Sequence, residues 1–368
     1  MSGMSPGEVD AESSAQRIAI TGVVDQVKDT ETAQDEETAE PVGLPSLRDR
    51  FFRPETLISF GIALFLIVFF TRRLDLDPGA IWRHVRGANF FLYALAFVVF
   101  YGSFGLRAFR WRRMLNRAGI SAESGYRMPT RRGLLEIFLL SWFANCVVPA
   151  KLGDAYRGYL FKRESGASFS TTLGTIFAER LTDLTVLFAA MVTSALFVFG
   201  PSMPGQTGQW LLFGAVLTVA VLIGVALLWV TRTRLEERLP LRIRDKFGRM
   251  HNAIFACLRR PWGFFGISFL IWIGEGLRVY LVAAALGADI SASTAVFVAL
   301  MSSLLTTLPI TPAGLGVVET AMIVVLVLVG VDESLAGAVA LLDRVVGYWS
   351  LIVVGLPLYL WRVRRTLA

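Results

Sequence analysis

The sequence predicts an all-α integral membrane protein, with about six full transmembrane helices plus two re-entrant or broken helical hairpins in an inverted repeat. Three observations predict it. The apolar residues come in long blocks, within a chain of 368 residues that is 54% hydrophobic and only 18% charged. Arginine and acidic residues segregate between alternate connecting loops. A proline-glycine turn followed by an acid-arginine pair occurs twice.

The blocks decide the class. Mean hydropathy is +0.57, and several blocks reach the roughly 18 residues that cross a bilayer as helix. They are continuous and do not alternate with polar residues, which excludes a barrel. The expected crossings are Glu55–Thr71, Asn89–Leu106, one within Ser168–Phe199, Gln209–Thr231, Gly263–Gly287 and one within Ala336–Leu360. Two further blocks end at proline: Leu134–Val148 before Pro149, and Ala295–Leu308 before Pro309 and Pro312.

Loop charge sets the expected orientation, because short cytoplasmic loops are rich in Lys and Arg. Residues 107–132 hold eight Arg, 232–260 hold eight Arg and one Lys, and Arg362, Arg364 and Arg365 follow Trp361. These segments are expected in the cytoplasm, with both termini. The arginines of 107–132 are assigned to orientation and to contact with anionic lipid heads. Residues 200–208 carry no charge, and 288–293 and 331–337 are acidic or neutral, so they belong outside. Arg72, Arg73, Arg83 and Arg86 run against this rule. The scheme closes only if the proline-ended blocks do not change side overall. Each is read as a hairpin, 134–148 with 152–161 and 295–308 with 317–329; two complete crossings for the second preserve parity equally well. Residues 1–47 hold ten acids against Arg17 and Lys28, and read as a disordered acidic cytoplasmic tail ahead of a membrane domain over 48–368. That tail is also a possible tether to a partner protein.

The repeat is local and charged. Pro149-Ala150-Lys151-Leu152-Gly153-Asp154 aligns with Pro312-Ala313-Gly314-Leu315-Gly316-Val317. Glu179-Arg180 and Asp343-Arg344 follow at nearly equal distances. Repeat one is placed at about 134–200 and repeat two at about 295–360. With an odd number of crossings between them, the hairpins enter from opposite sides, as in transporters with broken helices. The second copy has Val317 where the first has Asp154.

Charges in the membrane face a partner or a wet route. Glu179 and Asp183 share a helical face, and Arg180 lies about 100° round from Glu179 and needs a partner elsewhere. Asp154 and Arg157 share a face after the first turn. Glu319 follows the second turn. Arg180 and Arg344 suit phosphate oxygens, since a guanidinium offers a planar fork of donors; the competing reading is structural ion pairing. Glu275 and Arg278 form a possible intramembrane pair that can also be self-contained. Cys146 reads as a small buried residue, His251 as solvated in a basic loop, and Trp111, Trp349 and Trp361 as interfacial anchors. Two Cys and two His offer neither a disulfide framework nor a metal site. No cofactor and no nucleic-acid partner are expected, and the absence of a Walker loop argues against ATP-driven transport by this chain.

The chain resembles the flippase-like transmembrane domain of lysylphosphatidylglycerol synthases, a family with stand-alone bacterial and archaeal members. LRAFRWRRML (106–115), NCVVPAKLGDAYRGYLF (145–161), FAERLTDL (177–184), LPITPAGLGVVET (308–320) and LLDRVVGYW (341–349) carry the resemblance, over roughly 55–360. It marks Asn145, Pro149, Gly153, Asp154, Arg157, Glu179, Arg180, Asp183, Pro312, Gly314, Gly316, Glu319 and Arg344 as family positions, with Ala313 where the family usually has Gly. Together with Lys151, the polar members form the expected headgroup site; the prolines and glycines form its turns. The resemblance implies a plasma (inner) membrane protein that moves a phospholipid or polyprenyl-linked lipid between leaflets. The chain ends at Ala368, without the soluble domain of the aminoacyl-transferring members, so lysyl transfer is not expected. The alternative is an intramembrane transferase for a lipid-linked sugar or phospholipid.

Overall fold

The computed structural model describes residues 77–147, 152–200, 240–306 and 314–367, with single positions between 216 and 231. The acidic tail, the first expected crossing, most of the fourth, Pro149, Ala150, Lys151, Pro312 and Ala313 lie outside the described residues. Described residues belong to one compact unit, residues 53–368, and among them every regular element is helical.

In chain order the helices are α1 (Pro78–Arg86), α2 (Phe90–Arg117), α3 (Arg131–Val147), α4 (Gly153–Ser165), α5 (Phe169–Phe199), α6 (Leu241–Leu258), α7 (Trp262–Ala285), α8 (Ala292–Leu305), α9 (Val317–Leu328), α10 (Glu333–Arg344) and α11 (Ser350–Leu367). Within the described residues, four stretches are long and apolar enough to cross a membrane: α2, α5, α7 and 333–365. They expose Phe90, Phe91, Val98, Phe197 and Val353. Large apolar side chains presented outward in such numbers suit lipid rather than water. The protein is a multi-pass membrane protein.

Local chemistry sets the helix starts. Asn89 Oδ1 accepts from the N–H groups of Phe91 and Leu92 at the start of α2. Asp332 does the same for Ser334 and Leu335 at α10, and Ser291 accepts from Thr294 at α8. Each supplies an acceptor to N–H groups that the helix cannot satisfy itself. Gly166, at φ +71°, closes α4, in the left-handed region that glycine adopts without a steric penalty.

Four expectations about the basic segments need correction. Helix α2 does not end at Leu106 but runs to Arg117. Arg107 and Arg110 are therefore buried inside the protein, not turned to lipid heads, because acids on other helices receive them. Trp111 is fully buried and donates to Thr175 Oγ1 at 3.1 Å, so it is no interfacial anchor; Trp349 and Trp361 remain about half exposed. His251 is buried on α6 between Phe247 and Phe255, since 241–258 form a helix packed on α5 rather than a solvated loop.

Helices α2 and α7 run antiparallel against each other. At one end the Asn89 N–H donates to the Ala285 carbonyl at 2.7 Å. At the other, Arg117 donates to the Arg260 carbonyl and lies over the Phe264 ring. Helices α3 and α4 pack together, with the start of one beside the end of the other. Arg362 on α11 joins those two ends by donating to Glu136 and to Glu164. Helix α8 packs on α7, α5 and α9, and α9 on α10.

Candidate functional site

Helix α2 carries the interior charges outward from a central row. Arg107 donates to Glu275 Oε1 on α7 at 2.8 Å and lies over the Trp142 ring at 4.8 Å. One turn on, Arg110 donates to Glu179 Oε1 and Asp183 Oδ2 on α5, both at 2.9 Å, and to Ser268 Oγ on α7. Arg157 on α4 pairs with Glu179 at 3.0 Å and is held between the rings of Trp111 and Phe138. All of these side chains are sealed from solvent.

Helix α7 repeats the arrangement toward α10. Glu275 and Arg278 are not the self-contained pair that their spacing allows. Their own contact is 3.3 Å, but Glu275 also takes Arg107, and Arg278 reaches Asp343 at 2.6 Å. Arg278 also donates to the Asp343 carbonyl at 3.2 Å and lies over the Phe100 ring at 5.5 Å. Residues 345–349 form a wider, π-type turn, and a Cβ on Gly347 would lie 2.8 Å from Arg278 Nη1. Tyr93 donates to the Leu342 carbonyl and Ser350 to the Val346 carbonyl. Side-chain donors thus serve carbonyls just before and within this irregular turn, as backbone buried at membrane depth requires.

A second tier sits at the two glycine turns. The first turn is fixed around Gly153: its N–H donates to Asn145 Oδ1 and its carbonyl accepts from Ser141 Oγ, both at 2.8 Å. A Cβ there would come within 2.0 Å of the Ser141 carbonyl, so the close approach of α3 and α4 requires glycine. Asp154, the next residue, takes Arg180 through both oxygens, at 2.8 and 2.6 Å. At the second turn Gly314 and Gly316 have φ of +71° and +82°. Glu319 accepts from the Gly316 N–H at 2.7 Å and from Arg344 Nε at 2.8 Å. Arg344 lies over the Tyr348 ring, and the Tyr348 hydroxyl donates to the carbonyl of Cys146, at the end of α3. That bond ties the second acid-arginine pair to the approach to the first turn.

At the first turn the outer pair is open where the inner ones are closed; at the second turn only the acid is partly open. The Arg180 side chain is 40% exposed and Asp154 21%; Arg344 is 8% and Glu319 21%. Of the expected headgroup residues, Asp154, Arg180 and Glu319 therefore face accessible space. Arg157, Glu179, Asp183 and Arg344 are enclosed, and Asn145 is spent on the turn. Sequence reasoning missed Arg107 and Arg110. Their three-residue spacing matched that of Glu275 and Arg278, and that match was the available signal. Among the described residues no group of His, Cys, Asp or Glu is placed to hold a metal. The chemistry on offer is recognition by guanidinium and carboxylate groups. Cys146 is buried, as is Cys257, whose thiol burial pushes up to about 12.

A family model described as the lysylphosphatidylglycerol synthase TM region matches residues 56–355. The chain belongs to that family. A UPF0104 membrane protein of Methanocaldococcus jannaschii is 36% identical over 58% of this chain and 91% of its own length. One from Methanothermobacter thermautotrophicus is 25% identical over 77% and 88%. The protein named glycosyltransferase AglD of Haloferax volcanii is 26% identical over 82% of this chain, but the match covers only 53% of that protein.

Proposed function

We propose that this member of the lysylphosphatidylglycerol synthase TM region family moves a phospholipid or polyprenyl-linked headgroup between the leaflets of the plasma (inner) membrane, acting as a transporter rather than an enzyme. The observation that carries the reading is the recurrence of an arginine-acid contact at each glycine turn, Asp154–Arg180 and Glu319–Arg344, with Arg180 the exposed guanidinium of the two. An inverted repeat supports it. Asp154 and Arg180 are 26 residues apart and Glu319 and Arg344 are 25. Arg110 reaches forward 69 residues to Glu179, and Arg278 reaches 65 to Asp343.

Two re-entrant hairpins fit the contacts. Both open ends of α3–α4 meet Arg362, while α8 follows the end of α7 that meets the start of α2. The hairpins then enter from opposite faces, with both termini cytoplasmic and about six full crossings in all. In reconstituted vesicles the purified chain should accelerate leaflet exchange of labelled phospholipid, and Arg180→Ala should reduce that rate at least tenfold. No acceleration by folded protein across a broad lipid panel overturns the reading.

A second reading, an intramembrane transferase, is favoured by the relative named as a glycosyltransferase. Lipid mass spectrometry separates the two. Chemically altered lipid supports transfer; intact lipid on the other leaflet supports movement.

A further inference from the structure

The two outer pairs hold their acids differently. Asp154 gives both carboxylate oxygens to the Nε and Nη2 edge of Arg180. Glu319 divides its oxygens between Arg344 and the N–H of Gly316 at the start of α9. Glu319 thus occupies two seats for an acid at such a turn at once: the arginine, and the first turn of the helix that follows. Asp154 stands in the first turn of α4, where the helix dipole also favours negative charge.

Asp154 follows directly on the fixed first turn. The backbone just before it is clamped, because Gly153 bonds Asn145 through its N–H and Ser141 through its carbonyl. Arg180 is the open cation of the set: its side chain is 40% exposed, whereas Arg107, Arg110, Arg157, Arg278 and Arg344 are at most 8% exposed. Of the interior pairs described, it is the one an incoming ligand can reach most directly. Carboxylate and phosphate each present two oxygens that fit the same guanidinium edge.

We propose that Asp154 is a resident stand-in for phosphate. Its carboxylate fills the edge of Arg180 that two oxygens of a phosphate or phosphodiester take when the ligand arrives, and it then turns to the N-terminal turn of α4. The stand-in lowers resting affinity and drives release, so a passing headgroup is not trapped. This rests on the proposed role of Arg180 in headgroup binding, and it names the recognised group as the phosphate.

The test is equilibrium binding to the full-length protein in detergent, with dihexanoyl phosphatidylglycerol, inorganic phosphate and phosphate-free dihexanoylglycerol as probes. Asp154→Asn and Asp154→Ser should each bind the short-chain phospholipid roughly tenfold tighter. Arg180→Ala should lose binding, and Arg180→Lys, without the fork, should lose most of it. Dihexanoylglycerol should respond to none of them. Tightening for the lipid alone identifies a headgroup phosphate; tightening for inorganic phosphate as well identifies phosphate itself as sufficient. Unchanged or weaker binding in both Asp154 variants overturns the proposal. So does loss of fold in those variants while Arg180→Lys stays folded, since a displaceable stand-in does not determine the fold. Leaflet exchange is measured separately. Tighter binding without exchange removes the transport reading and keeps the stand-in; exchange with unchanged binding does the reverse.

Discussion

At the scale of single residues, Arg110 concentrates the most interaction. It is fully buried, and its guanidinium answers two carboxylates and a hydroxyl from two other helices. Removing one partner of a buried ion cluster strands the others without water, which costs about 3–5 kcal/mol. Arg110→Met should therefore lower the thermal midpoint of the purified protein far more than Arg113→Met, whose side chain lies over Phe109 near the surface; equal midpoints would refute that weight. Gly153→Ala has a steric cost instead. Its new methyl meets the Ser141 carbonyl and the Asn145 side chain, and overpacking of this kind costs about 1–3 kcal/mol. Residue types were legible where a motif marked them: Asp154 and Glu319 stood beside a turn, and Arg180 and Arg344 each followed an acid at nearly equal distance from one. Apart from Glu275 with Arg278, which acid meets which arginine was not legible, because those partnerships join different helices. Arg107 and Arg110 were hidden by their neighbours, since five arginines in 107–117 read as a loop signal although two of them point inward.

Helices are the scale at which the hairpin claim is tested. Arg362 holds the two ends of α3–α4 from α11, and nothing in the local sequence of either helix requires that tie. Arg362→Ala should raise amide hydrogen exchange at 131–136 and 160–165 on the order of tenfold and leave α7 unchanged. Uniform protection would mean that packing alone holds the hairpin. The π-type turn at 345–349 lay outside what periodicity can find, because one extra residue shifts the helical phase by about 100°, and a stretch as uniformly apolar as 336–354 does not register such a shift. Span lengths were misjudged for a related reason. The apolar block of α2 stops at Leu106 but the helix continues to Arg117, since internal acids replace lipid as its surroundings.

Taken as a whole, the described charge network balances: Arg107, Arg110, Arg157, Arg180, Arg278 and Arg344 face Asp154, Glu179, Asp183, Glu275, Glu319 and Asp343. Arg107 and Glu275 sit one helical turn before Arg110 and Arg278, their counterparts in the proposed repeat, and they contact each other. Residues near a two-fold relation between halves behave in this way. Charge exchange tests it: Arg107→Glu or Glu275→Arg alone should each cost about 3–5 kcal/mol, and the double exchange should recover at least half of the summed loss in a thermal-unfolding cycle. No recovery would reduce the contact to coincidence. Membrane class, the positions of both turns and the acid-arginine recurrence were readable from sequence. The part played by α2 and α7 was not, because their matching residues differ in kind, arginine against glutamate at one position and phenylalanine against serine at another.

Arg110 also sets a problem of timing during synthesis. Glu179 lies 69 residues later and Ser268 lies 158 later. At roughly 5–20 residues per second, the guanidinium is made several seconds before any partner exists. An unpaired arginine at mid-bilayer depth resists insertion by about 2.5–3.5 kcal/mol. Its place in the last two turns of α2 gives the newborn helix a way out: it can sit shallow, with Arg110 among the lipid phosphates, and sink only when α5 arrives with its acids. Chains truncated before Glu179 should then hold α2 shallower in the membrane than chains that extend past Asp183.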